Sequence, residues 1–534
     1  MSTPNIFRKS GTLTESELRT KLLEIEAALE RLDLLFFDLP GLFPPEELVS
    51  QHEDLEKEIG SLRAALAPHK KLPVELLAEI FFCCSTPRVI LPPQANEPLL
   101  TLTQVCRTWR ELALEVPELW ASISISLTEE GTDAERITGI TEQWIARAGA
   151  YPLSITVQCA SPYATAVCAN SDLVSGFIPL VLSHAHHLQH LDLAFPSAKL
   201  MPILALPAGA FPRLETLALR PLLLLSDMTT LETGYAAWHW PSNAVAFDSS
   251  PLVREVTYSP IPMFKLAELE VMAGDVMERA MAAESDVGTH PFFAPAFPLP
   301  WSQLSTISFP FTALPAEAWC AVVTECPGLA YFEVAIKPEG SNQPGPTPDP
   351  PLVRLDSLHY LSISAFCGGG DALLDRLVAP QLTTFVLMGT LYTTASLLAF
   401  HARSNFALET FIPVMHIPAA DVAALFQALH ALQTLIILAV SSEHFPAAFW
   451  ARVGRADLLP NLAALLIRPT DAQAPVLVDM IAARWEAAVA GLGPGVSVGF
   501  CDVRPAHLAA VNDELRRLEK YAEGGRAVDI LNVC

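Results

Sequence analysis

One pattern, apolar-x-x-apolar-x-apolar, recurs along most of this chain and constrains its fold more than any other feature. It occurs as Leu188-Leu191-Leu193, Leu214-Leu217-Leu219, Val253-Val256-Tyr258 and Leu304-Ile307-Phe309. It continues as Leu329-Phe332-Val334, Leu358-Leu361-Ile363, Leu382-Phe385-Leu387, a degenerate Leu408-Phe411, Leu432-Leu435-Ile437 and Leu462-Leu465-Ile467. The closing x-apolar-x-apolar alternation is the period of a strand with one buried face. From 304 onward the starting positions lie 25, 29, 24, 26, 24 and 30 residues apart. Helical segments are expected between several of these strands, at 371–378, 395–402 and 421–429. Strand, helix, strand at this period sets parallel strands along one side of a stack and helices along the other.

The pattern resembles an irregular leucine-rich-repeat solenoid over roughly 150–500. The Asn or Cys ladder residue of the standard repeat is mostly missing, and gaps of 39 and 51 residues (214→253, 253→304) place insertions in the middle. An irregular α/β sheet built from the same strands is the alternative. Alternation at 122–127 and 153–158 predicts two strands before the repeats, and 144–149 reads as a helix end stopped by Gly149. Toward the C-terminus, 476–485 reads as a helix, 496–500 as a last strand and 514–521 as a charged helix covering the end of the stack. The segment 339–351 is a Pro/Gly surface loop.

Before the repeats the chain is helical. Thr14 and Glu17 form a capping box, and Leu18, Leu22, Ile25, Leu29, Leu32 and Phe36 follow with heptad a/d spacing. Residues 38–45, with Pro and Gly, break the helix. A second seam follows through Leu48, His52, Leu55, Ile59, Leu62 and Leu66. Either the two helices fold back as a hairpin or 14–66 pairs with a second chain; the central break favours the hairpin. His52 is read as a partly solvated seam residue.

Next comes a pair of short helices joined by a proline-rich bridge. The first opens at Leu72-Pro73, with Pro at its first helical position, and sets Leu76, Leu77, Ile80, Phe81 and Cys84 on one face. The second opens at Thr101 with a capping box to Gln104, and Leu102, Val105, Cys106, Trp109, Leu112 and Ala113 continue as one stripe. Pro117 stops it, and Trp120 is expected to return to that stripe. This stretch resembles the F-box, with a spacer (85–98) longer than the usual few residues, as in F-box proteins of mushroom-forming fungi.

The F-box resemblance implies a substrate-receptor subunit of an SCF-type cullin–RING ubiquitin ligase. Leu72, Pro73, Leu76, Ile80, Phe81 and Val105 would bind the Skp-family adaptor and, through it, a cullin. Catalysis would lie in other subunits, so no active site and no cofactor is implied. The expected class is α/β: a helical hairpin or coiled coil (1–70), a small all-α F-box (71–124), a repeat solenoid with parallel strands (125–500) and a helical cap (501–534). A protein substrate would lie on the strand face. There, period 2 turns His190, Asp192, Arg220, Thr306, Ser308, Tyr331, Glu333, Tyr360, Ser362, Thr384, Met388 and Thr434 outward. A scaffold without a ligase partner, and an enzyme with a site in 220–300, are the other readings.

Composition narrows the field. Lys and Arg number 33 against 58 Asp and Glu, a net charge of −25 that repels phosphate backbones. The 10 cysteines are scattered, among them Cys106, Cys159 and Cys326, which reads as reduced thiols in cytosol or nucleus. No signal-peptide core and no 18-residue apolar run indicates secretion or a membrane span. His184, His186, His187 and His190 read as solvated histidines at a helix end rather than metal ligands. Gly368-Gly369-Gly370 lacks the Lys and Ser/Thr of a phosphate loop and reads as a tight turn. Cys83-Cys84, without a second pair at zinc spacing, is given a helix-core role.

Overall fold

The computed structural model describes residues 14–37, 46–67, 72–85, 88–127, 134–159, 172–223, 245–259, 261–262, 298–336, 351–365, 369–389, 392–415, 417–437, 445–467, 474–489, 491, 494–500 and 528–529. The expected helix at 514–521, Gly368 and nearly all of the 339–351 loop lie outside these. So does most of the 220–300 insertion region. The chain divides into two compact units, one of 1–87 with 95–119 and the other of 88–94 with 120–534.

The first unit is all helical. Helices α1 (Glu15–Phe37) and α2 (Glu46–Leu66) pack along one another within the chain. Ile25, Ile59 and Leu62 form their core, flanked by Leu18, Leu22, Leu29 and Leu55. The heptad spacing brings these side chains together because a and d positions share one seam. Ion pairs Lys21–Glu58 (2.6 Å) and Glu26–Arg63 (2.7 Å) border it. His52, half-buried, meets Asp33 at 2.9 Å. At the start of α1 the Thr14 hydroxyl accepts the Glu17 N–H and the Glu17 carboxylate accepts the Thr14 N–H, closing the capping box.

Three short helices complete the unit: α3 (Val74–Cys84), α4 (Pro98–Val105) and α5 (Arg107–Glu115). Three expectations need correction here. Pro73 is the residue before α3 rather than its first, and its carbonyl accepts the Leu77 N–H at 3.1 Å. The second helix opens at Pro98, where a missing N–H costs nothing; the Thr101 hydroxyl donates back to the Glu97 carbonyl instead of capping. It also breaks at Cys106, whose extended backbone (φ −158°) ends α4 and whose Sγ accepts the Trp109 N–H (3.4 Å) to start α5. Trp120 belongs to the second unit, stacked edge-on against Trp144 (4.9 Å) with the Arg147 guanidinium over its face at 4.4 Å.

The second unit is an α/β stack built on a 15-stranded sheet. Its strands run β1 (Val89–Leu91), β2 (Ser122–Leu127), β3 (Leu153–Cys159), β4 (Leu188–Leu193), β5 (Thr216–Leu219), β7 (Glu255–Tyr258), β9 (Thr306–Leu314), β10 (Tyr331–Ile336) and β12 (Tyr360–Ala365). They continue as β14 (Thr384–Gly389), β15 (Thr410–Val414), β16 (Thr434–Ile437), β17 (Ala464–Ile467), β18 (Ser497–Phe500) and β19 (Val528–Asp529). Each strand pairs parallel with the next in sequence order, the arrangement of a solenoid. Two small parallel pairs, β6 (Leu222–Leu223) with β8 (Ile261–Pro262) and β11 (Val353–Arg354) with β13 (Leu377–Val378), stand apart. Every triplet marked in the sequence carries a strand, the degenerate one at 408–411 included.

Local differences have local causes. The segment 371–378 is not one helix: Gly370–Leu374 is helical, and Leu377–Val378 pairs as β13. The strand at Ser497–Phe500 is not the last, since Val528–Asp529 pairs beyond it. The spacer between α3 and α4 supplies β1, the first strand of the sheet, with Val89 and Leu91 buried and Ile90 outward.

The core lies between strands and helices. Ile307, Phe332, Leu361, Phe385, Phe411, Leu435 and Leu465 form one inward row, all buried. Helices Ala316–Thr324, Thr394–Ser404 and Ala419–Ala428 cover it with aromatics. Trp319 meets Phe332 at 5.7 Å, Phe400 meets Phe385 at 5.8 Å and Phe426 meets Phe411 at 6.1 Å. The Trp319 indole N–H donates to the Ala335 carbonyl at 2.8 Å, so its polar edge is satisfied.

Candidate functional site

Two surfaces offer themselves for binding, one on each unit. On the first, α3 carries apolar residues on more than one stripe. Leu77 and Phe81, one turn apart, are buried; Phe81 is 0% exposed and its ring meets Trp109 at 5.0 Å, while Leu99, Leu102 and Ala113 are buried on α4 and α5. Leu76 and Ile80, also one turn apart, stay 53% and 39% exposed. Leu72 and Pro73 extend that stripe upstream, and Val105, at the end of α4, is 50% exposed. A contiguous exposed aliphatic stripe on a helix marks a contact surface when it is too large to be scattered chance exposure.

Of the six residues expected to meet an adaptor, Leu72, Pro73, Leu76, Ile80 and Val105 are therefore exposed, and Phe81 is not. Phe81 is an internal packing residue, because an aromatic one position from the exposed stripe turns about 100° away, into the three-helix core. Val74 and Phe82, exposed on the same helix, were not singled out in the sequence, where nothing separates them from buried neighbours. Cys84 is exposed along with Cys83, so neither has the core role expected of it. Cys83, Cys84, Cys106, Cys320 and Cys326 are free thiols, and burial pushes Cys326 up to about 12.

The second surface is the strand face turned away from the helices. Helices are about 10 Å wide and strands about 4.8 Å apart, so in a stack of this kind the strand face takes the inner side of any curve. Register places His190, Thr216, Glu255, Thr306, Tyr331, Tyr360, Thr384, Thr410 and Thr434 in one row across it. A second row holds Asp192, Ala218, Thr257, Ser308, Glu333, Ser362, Val386 and Ile412.

The two rows make two polar stations. In one, the Tyr331 and Tyr360 rings stack in parallel, 4.1 Å apart and 5° from coplanar. Beside them the Glu333 carboxylate accepts hydrogen bonds from the Ser308 hydroxyl (2.6 Å) and the Tyr331 hydroxyl (3.3 Å). Burial first, then the Glu333 charge, hold the Tyr331 phenol well above its usual range, so it stays a donor at any physiological pH. In the other, Arg220 pairs with Asp192 at 3.2 Å. Burial pushes the Asp192 carboxyl up, opposed by Arg220 and Arg88.

Not every residue expected on display is accessible. Ser362 lies in the second row but is only 1% exposed, and Ser308 is also buried. Both are short side chains, and each has the longer Glu333 beside it on the adjacent strand. Thr306, Tyr331, Glu333, Tyr360, Thr384, Met388 and Thr434 remain partly exposed, as do His190, Asp192 and Arg220.

The other clusters do different work. His186 lies within the turn Ala185–His187, whereas His190 belongs to β4, so the two are not one helical turn apart on a shared helix. His184 and His187 are held below the usual histidine range by burial first and by neighbouring positive groups second. Gly369 takes φ 82° at the start of the short helix Gly370–Leu374. Gly370 lies against the Tyr392 ring, which a Cβ would meet at 2.2 Å. The glycine turn thus serves a packing contact. Among the described residues no helix is long and apolar enough to cross a membrane.

Residues 69–126 match the F-box-like family. The matched span takes in α3 to α5, the spacer strand β1 and most of β2. No curated protein matches the chain.

Proposed function

We propose that this chain is the substrate-receptor subunit of an SCF-type cullin–RING ubiquitin ligase, acting in the cytosol or nucleus. The F-box-like domain at 69–126 would bind a Skp-family adaptor and through it a cullin, and the strand face of the second unit would hold a protein substrate. The observation that carries this reading is the exposure of Leu76 and Ile80 on α3, whose other apolar stripe is already buried, together with that of Leu72 just before α3 and Val105 at the end of α4. Ubiquitin transfer would be performed by other subunits, so the chain's role is to bring two proteins together. The seam of 14–66 is filled within the chain, and a second copy docking there would have to use outer residues such as Leu23, Leu34 and Leu35.

The test is titration of the full chain with a purified Skp-family adaptor. Leu76→Glu combined with Ile80→Glu is expected to abolish binding while leaving the helical content intact, since both side chains face solvent. Equal binding by wild type and variant, or no binding by either, overturns the ligase reading and leaves an interaction scaffold.

A further inference from the structure

Past the tyrosine pair, the outward face of the sheet changes character. The row that runs through Ser308, Glu333 and Ser362 continues as Val386 and Ile412, and the same register sets Ile436 and Leu466 next in line. One step along the strands, Met388 pairs with Val414. Met388, Ile412, Val414, Ile436 and Leu466 are all partly exposed, although they face away from the helices and from the core. The half-buried strand pattern calls for polar residues here, as the neighbouring row of Thr384, Thr410 and Thr434 supplies. A run of five aliphatic side chains on adjacent strands, where threonine would fold as well, marks a binding surface rather than a packing requirement.

The charge beside this patch is one-sided. Glu333 lies five strand steps from Leu466, roughly 24 Å at about 4.8 Å per step. Among the described residues it has no ion pair, and its carboxylate is held in place by Ser308 and Tyr331. The stacked rings of Tyr331 and Tyr360 offer aromatic surface beside it, the setting in which a cation gains both a carboxylate and a π system. Glu255, in the same row as Tyr331, is a second carboxylate, bonded to the Thr216 hydroxyl. The whole chain is acidic, at −25.

We infer that this face binds a protein segment carrying aliphatic side chains over Met388, Ile412, Val414, Ile436 and Leu466, with a Lys or Arg seated on Tyr331, Tyr360 and Glu333. The inference rests on the substrate-receptor reading and gives that substrate a chemistry: apolar along its length, basic at one end. A segment of about 16 residues spans 24 Å as a helix. An acidic or phosphorylated segment is disfavoured at the Glu333 end by like charge.

The probe is a displayed library of random 16-residue peptides selected on the full-length chain. Selected peptides are expected to be enriched in Leu, Ile and Val together with Lys or Arg. Their binding should fall about tenfold in Glu333→Gln and more in Ile436→Ser combined with Leu466→Ser. Raising salt should weaken binding to wild type more than to Glu333→Gln, a readout that general loss of structure would not give. Adaptor titration of the same variants should be unchanged, which separates a failure here from a failure of the F-box reading. Selected peptides that are acidic, peptides indifferent to both variants, or no selection at all would overturn the inference.

Discussion

Arg484 is the largest charged side chain in the core, 1% exposed on the helix Ala474–Val489. It donates to five backbone carbonyls: Val453 (3.2 Å), Leu459 (2.9 Å), Pro460 (2.6 Å), Leu462 (3.2 Å) and Pro494 (3.2 Å). Three of these lie in the loop after Ala447–Gly454, where Ala456 (φ 61°) and Leu459 (φ 53°) hold the left-handed backbone that side chains disfavour. The guanidinium fork satisfies carbonyls that this loop turns inward, and its hydrogen bonds offset the local strain. Arg484→Met should cost about 3–5 kcal/mol in urea unfolding, because the carbonyls are left buried and unpaired. Arg484→Lys should recover little, since three donors on a point charge cannot reproduce the fork. Gly370→Ala should lower stability by about 1–3 kcal/mol through overpacking against Tyr392. Tyr392 cannot easily retreat, as its hydroxyl donates to the Ile363 carbonyl at 2.9 Å.

At the level of single elements, α3 holds two aliphatic stripes with opposite fates. Phe81→Ala empties a site between three helices and should destabilise the helical unit by about 3–5 kcal/mol, seen in thermal melts. Ile80→Ala, on the exposed stripe, should leave the melting temperature almost unchanged and weaken only the adaptor binding proposed for that stripe. The junction of helix Asp172–Ser183 with β4 has a different sensitivity. His184 and His187 titrate lower in the folded chain than when unfolded, so between their folded values and about 6.5 the unfolded state binds more protons. Stability from this pair is complete above that window and declines as pH falls through it. Changing both to Gln should flatten the stability profile between pH 7.5 and 5.5, measured by urea unfolding.

For the whole molecule, the spacer strand connects two units that the chain enters more than once. The backbone leaves the helical unit at 87, pairs β1 against β2, and returns at 95 before crossing again at 119. β1 covers the edge of β2, which would otherwise offer unpaired backbone groups to other chains. Deleting 88–94 should speed hydrogen exchange across Ser122–Leu127 and promote aggregation, with exchange at β14 to β17 unchanged.

Periodicity alone marked the strands of the repeat stack, the two heptad seams and the apolar helical character of the F-box-like stretch, because each depends on which residues share a face within a few turns or strand steps. That the seams close on each other within the chain, and that the stretch holds three helices rather than two, came from the tertiary structure. The inward and outward rows of the strands were legible for the same reason. What the sequence could not decide was which of two apolar stripes a short helix buries: Leu76 with Ile80 and Leu77 with Phe81 differ by one position and not in hydrophobicity. It was equally silent on neighbours set by register, such as Tyr331 against Tyr360 or Ile412 beside Val386. Those pairs are 29 and 26 residues apart in the chain, and only the pairing of whole strands brings them together. The spacer shows in the sequence only as a proline-rich bridge, because three residues carry too little pattern to announce a strand; the edge of β2 supplied the partner that made them one.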